Sequence, residues 1–197
     1  MSPFPILKLP YVAQCVLVPL MDSISLIEFS LASKKVRNLL QLVKLRADTV
    51  TFTIPQALCM EVESAGRTLI LEPIFKMNGN RKLEFDGDMV PVRELFRSAS
   101  NSVYGCKCKE GSEIQLLEKI TTHFLTFLRN TKFNLVINGD ILVSDYGFFW
   151  RTIKKFGRIT VAGRWENTVI MLPKTLKFLQ EELEKDELFL QVNLWKY

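Results

Sequence analysis

The chain has 197 residues, is 48% hydrophobic and 24% charged, and carries a formal charge of +5. That length encloses a core of one or two domains, and that composition excludes an intrinsically disordered chain. No apolar run approaches the roughly 18 residues a bilayer crossing needs, and Pro5, Lys8, Pro10, Pro19 and Asp22 interrupt the apolar N-terminus, so neither a membrane span nor a signal peptide is expected.

Phe4 to Pro10 reads as an extended lead-in that ends where Pro10 opens a helix. Tyr11–Val18 is a short apolar helix that Pro19 stops or kinks. Asp22 and Ser23 can cap a second helix carrying Ile24, Leu26, Ile27, Phe29, Ser30 and Leu31, and Ser33 can cap a third over Lys34–Val43. On that third helix Val36, Leu39, Leu40 and Val43 fall on one face. So short a helical unit cannot enclose all its apolar side chains, and some should meet a partner or the following region.

From Thr49 the period changes to two. Val50, Phe52 and Ile54 alternate with threonines, Leu58–Val62 and Thr68–Leu71 flank an Ala65-Gly66 turn, and Leu83–Phe85 and Met89–Val92 flank Asp86-Gly87. Ser98–Gly111 reads as a polar loop. Ser112 with Gln115 has capping-box spacing, opening a helix to about Arg129 that buries Ile114, Leu117, Thr121, Phe124 and Leu128. Strands at Phe133–Ile137, Ile159–Ala162 and Leu188–Leu194 then alternate with helices at Asp145–Phe156, closed by Gly157, and Lys174–Glu184. Such β-α-β-α-β order predicts parallel strands, and starts about 26 and about 30 residues apart are near leucine-rich-repeat periods. The expected organisation is α+β: a three-helix segment over 1–45, a strand-rich connecting region over 46–111, and a helix with repeat-like units over 112–197.

The N-terminal pattern has a family resemblance. F-P-I-L-K-L-P, an apolar helix, L-M-D, a second helix and F-S-L-A-S-K-K together resemble the F-box of a large nematode family. Residues 132–194 are similar to the F-box-associated type 2 region that follows in those proteins. The resemblance implies a substrate receptor of a cullin-based ubiquitin ligase, whose F-box binds the adaptor Skp1 and whose downstream domain binds a protein target. It places Leu7, Leu9, Pro10, Ile24, Ile27, Leu31, Ser33 and Lys34 at adaptor-docking positions. The chain departs from the family at Tyr11-Val12, where an acid is common, at Pro19 within the first helical stretch, and at Ala32, where cysteine is frequent.

The residues carry no pattern of catalysis. The single histidine, His123, lies beside Phe124 on a helix and reads as structural, and no triad, metalloprotease or phosphate-cradling motif is present. Cys15 and Cys59 read as core residues. Cys106 and Cys108 form a C-x-C without the ligand spacing zinc prefers. No enzyme activity, cofactor, metal or membrane partner is therefore expected, and the expected location is cytoplasmic or nuclear. Trp150 reads as core, with Trp165 and Trp195 open as interface anchors. Residues 1–47 hold six bases and two acids, and the basic segment 34–46, with Lys34, Lys35, Arg37, Lys44 and Arg46, keeps nucleic-acid binding open as the alternative function.

Overall fold

Proline chemistry shapes the N-terminus of the computed structural model, which describes residues 8–43, 45–55, 58–76, 81–85, 87–138, 143–153, 155–162 and 173–191. Pro10 precedes helix α1 (Tyr11–Leu17), and a tight 3-10 turn at Val18–Leu20 follows, with Pro19 in its first residues. Helix α2 (Ser23–Ala32) is capped by Asp22, whose carboxylate accepts from the Ser25 N–H at 2.8 Å. Helix α3 (Lys34–Val43) has the Ser33 hydroxyl 3.5 Å from the Val36 N–H, and it buries Val36, Leu39 and Leu40 as the spacing requires.

Among the described residues nine strands form one sheet: β1 (Thr49–Pro55), β2 (Cys59–Ser64), β3 (Arg67–Ile74), β4 (Arg81–Phe85), β5 (Asp88–Arg97), β6 (Asn101–Lys107), β7 (Lys132–Asn138), β8 (Lys155–Ala162) and β9 (Glu184–Gln191). Their spatial order is β4-β5-β6-β3-β2-β1-β7-β8-β9, a mixed α+β architecture. Ala65 and Gly66, both at positive φ, make the tight β2–β3 turn. The later strands are parallel as their alternation with helices predicts: β7 pairs with β8, and β8 with β9. β1 also runs parallel to β7, so the sheet is continuous from residue 49 to residue 191.

Several expectations change. Residues 101–107 are not loop but the strand β6, hydrogen-bonded between β5 and β3. Asn101, Gly105 and Lys107 on one face disguise the alternation of Ser102, Tyr104 and Cys106, which are buried on the other. A Cβ at Gly105 would lie 2.4 Å from Ile74 Cδ1, so a larger residue there makes the isoleucine side chain shift. The expected helix over 145–156 is a 3-10 turn at Val143–Tyr146 followed by α5 (Gly147–Thr152), and Phe156 and Gly157 belong to β8. Gly157 is therefore no helix cap; a Cβ at this strand position would meet Asn134 Oδ1 at 3.3 Å. The last helix follows the expected span, as α6 (Pro173–Lys177) continued by a π-helical stretch at Phe178–Glu182, and β9 starts at Glu184 instead of Leu188. Residues 192–194, expected in that strand, lie outside the described residues, as do Asp86, Trp165 and Trp195.

Helix α4 (Glu113–Leu125) ends before Arg129, and its capping box does not form: the Ser112 hydroxyl instead donates to the Lys109 carbonyl at 2.7 Å. Leu116, Leu117, Ile120, Thr121 and Phe124 are buried along it, while Ile114 is only half-buried. The helices cover one face of the sheet, where α2 packs on β2, β3 and β4 and α4 on the same three strands. Phe52 of β1 sits at the centre of the aromatic core, 4.7 Å edge-on from Phe149 and stacked at 6.4 Å on Phe133. Trp150 is half-buried against Phe156 and Phe178.

Candidate functional site

Of the eight residues singled out for docking, the three on α2 point inward. Ile24, Ile27 and Leu31 are at most 1% exposed and belong to the chain's own core. A side chain already enclosed by its own sheet offers no surface to a second protein. Leu9 is half-buried, Pro10 and Lys34 are exposed, Ser33 is half-buried as a cap, and Leu7 lies outside the described residues. The positions therefore do not share one face.

Ion pairs fasten α2 and α3 to the sheet as well. Arg67 of β3 pairs with the capping carboxylate of Asp22. Although burial pushes the Asp22 carboxyl up, hydrogen bonds from Ser25 and the charge of Arg67 hold it below the usual range. Glu28 of α2 accepts from Arg97 of β5 at 2.9 Å and from the Tyr104 hydroxyl of β6 at 2.9 Å. Arg97 also pairs with Glu94 at 2.8 Å and donates to the Tyr104 oxygen. Burial, then Glu28, pushes Tyr104 up to about 12, so it stays a neutral donor.

On α3, Arg37 is 7% exposed and donates to Glu84 of β4 at 2.6 Å. Its other terminal nitrogen lies 3.4 Å from Nδ1 of His123 on α4. A guanidinium only donates, so Nδ1 accepts and the ring proton is assigned to Nε2. Arg37 is thereby withdrawn from the basic surface of segment 34–46, where Lys34, Lys35 and Arg46 remain exposed and Lys44 lies outside the described residues.

Exposed apolar side chains occur on α1, besides Phe29 on α2, Leu42 on α3 and Leu95 and Phe96 on β5. Tyr11 is 56% exposed, Val12 74%, Val16 62% and Leu20, just after the helix, 78%. No residue of α1 is buried, and among the described residues the first to enter the core is Val18. Val12 and Val16 are one helical turn apart, so they present a common face. Gln14 holds the N-terminal end in place by donating to the Leu9 carbonyl at 2.8 Å. Tyr11, Val12, Val16 and Leu20 were not among the predicted docking residues. The signal that could have found them is a short helix apolar on every side, which cannot be buried on one face alone.

A second surface is the sheet face that the helices leave uncovered. Pairing places Thr51, Asn134, Arg158 and Glu187 in one row across β1, β7, β8 and β9, and Thr53, Val136 and Thr160 in the next. All are half-buried or exposed, and the polar composition is that of a solvated sheet face.

The groups with nucleophilic or acid–base chemistry are poorly disposed for it. Burial, then the charge of Arg37, lowers His123 to about 4, so its ring is neutral near pH 7 and committed to Arg37. Burial raises the thiols of Cys59, Cys106 and Cys108, Cys106 to about 12, with Glu61 and Glu72 adding at Cys59 and Glu113 at Cys108. Among the described residues no group of three or more His, Cys, Asp or Glu is placed to hold a metal, and no helix is long and apolar enough to cross a membrane. No family model, curated protein or solved structure matches the chain.

Proposed function

We propose that this chain is a substrate-recognition adaptor of a cullin-based ubiquitin ligase, working in the cytoplasm or nucleus. Helices α1 to α3 are its F-box, and α1 is the part that docks on Skp1. The parallel strands β7 to β9 are its leucine-rich-repeat-like part, and the open sheet face takes the protein target. The mechanism is proximity: target and transferring enzyme are held on one scaffold, which raises their effective concentration, and the chain supplies no catalytic residue.

The observation that carries this reading is the exposed apolar face of α1, in the segment that resembles an F-box. A contiguous apolar surface left in water is the usual mark of a protein–protein contact. The docking set is accordingly Pro10, Tyr11, Val12, Val16 and Leu20.

The test is Skp1 binding by the full chain carrying Val12→Asp and Val16→Asp. Burying two valines contributes about 1.5–3 kcal/mol each, so losing both weakens binding by at least about 100-fold. Both side chains are exposed in the free chain, so its melting temperature stays unchanged. Unaltered Skp1 affinity in the double variant removes α1 from the interface and the adaptor assignment with it.

A further inference from the structure

At the ends of β1 and β3 the chain forms a cavity of about 480 Å³ lined by Pro55, Leu58, Glu72, Pro73, Phe75, Glu113, Ile114 and Tyr146. Its chemistry is unlike the rest of the molecule. The chain as a whole carries +5, yet among the described residues the charged groups lining this cavity are two carboxylates. Among the described residues neither Glu72 nor Glu113 forms an ion pair.

Local structure holds these carboxylates in place. Glu113 is the first residue of α4, where the positive end of the helix dipole favours an anion. Glu72 is held in register opposite Gly105 of β6. Their negative field reaches the neighbouring groups: Glu72 adds to the rise at Cys106 after burial and Cys108, and Glu113 to the rise at Tyr146 after burial and Asp145. The rest of the lining is flat and apolar. Phe75 is 49% exposed and Tyr146 is buried, and Pro55 and Pro73 add rigid walls.

Uncompensated carboxylates beside aromatic and proline faces fit a cation carried on an apolar stem. A lysine or arginine side chain meets both demands, because its methylenes lie along the apolar wall and its head reaches the carboxylates, with the Phe75 ring free to stack on it. We infer that this cavity receives a basic side chain of the protein target, so that the chain selects targets displaying an exposed lysine or arginine. The inference rests on the chain being a receptor for a second protein, but not on α1 binding Skp1.

A peptide array probed with the full chain tests this. Each heptapeptide has a fixed central residue and randomised flanks, and the centres include lysine, arginine, norleucine and glutamate. Lysine and arginine centres are expected to bind roughly five- to tenfold above norleucine, with the preference falling as salt is raised. Glu72→Gln with Glu113→Gln should abolish that preference, Phe75→Ala should reduce it, and circular dichroism should show all variants folded. Signal that does not favour basic centres, or a preference that survives the double substitution, overturns the inference. The two readings fail separately. Glu72→Gln with Glu113→Gln leaves Skp1 capture intact, whereas Val12→Asp with Val16→Asp leaves the array preference intact.

Discussion

His123 makes the stability of this chain depend on pH in a defined direction. Its ring is 1% exposed, and burial together with Arg37 holds its pKa at about 4, against 6.5 for a free histidine. Above pH 6.5 the folded and unfolded chains are both neutral at this residue. As pH falls from 6.5 to 4, the unfolded chain takes up a proton that the folded chain refuses, so stability is lost across that window and not above it. At 1.36 kcal/mol per unit the loss comes to roughly 3 kcal/mol. His123→Asn keeps an acceptor for Arg37 but does not titrate, so urea unfolding at pH 7 and pH 4 should show the variant losing roughly 3 kcal/mol less than the parent. Asp22 and Glu94, both lowered, destabilise the chain as acid protonates them, while Glu61, raised by burial and Glu63, opposes them. These contributions are common to both proteins and cancel in the difference. Because the chain has one histidine, its C2 proton is a single resonance that reports the titration directly. A midpoint near 6.5, or equal acid losses in parent and variant, refutes the reasoning.

Arg37→Met removes the nearest cation, so the same histidine resonance should titrate above its parent midpoint; an unmoved midpoint would show that burial alone sets it. Gly105→Ala forces a Cβ to 2.4 Å from Ile74 Cδ1, and urea denaturation should record a loss of about 1–3 kcal/mol, against no change if the isoleucine simply rotates away. Tyr104→Phe removes the hydroxyl that donates to Glu28 and accepts from Arg97, costing about 1–2 kcal/mol by the same measurement. An equally stable variant would show that this hydroxyl does not clamp α2.

The helical N-terminus, the alternating strands and the parallel C-terminal strands were legible because each writes its period into neighbouring residues. Val36, Leu39 and Leu40 are such a case, and so are Val50, Phe52 and Ile54. β6 was hidden because Gly105 answers to Ile74, a partner on another strand, and no local pattern announces a close approach across a sheet. Phe148 and Phe149 mimic a longer helix, yet Phe156 pairs with Lys185 in β8 and β9. At the candidate site, the F-box resemblance assigned Ile24, Ile27 and Leu31 of α2 to a partner, and no local pattern distinguishes burial in a partner from burial in the chain's own sheet. Glu28, Arg97 and Tyr104 gave no sign of belonging together, since they come from three separate elements.

The docking of α2 and α3 on the sheet bears directly on how the N-terminal segment can be tested. Ile24, Leu26, Ile27, Leu31, Val36, Leu39 and Leu40 are all buried on these two helices. At about 1.5 kcal/mol each, the low end for burial, they contribute roughly 10 kcal/mol, comparable to the whole stability of a domain. A chain lacking residues 1–45 would expose Met60, Val62, Leu69 and Leu71, which face these helices' side of the sheet, and should not fold. Loss of Skp1 capture by that chain would therefore say nothing about docking. Removal of residues 1–17 stops before Val18 and takes no buried described residue. That shorter chain should keep its circular dichroism and a cooperative urea transition while losing Skp1. Cooperative unfolding of the chain lacking residues 1–45 would show that the sheet stands without its helices, and α2 and α3 would then be a detachable module rather than part of the core.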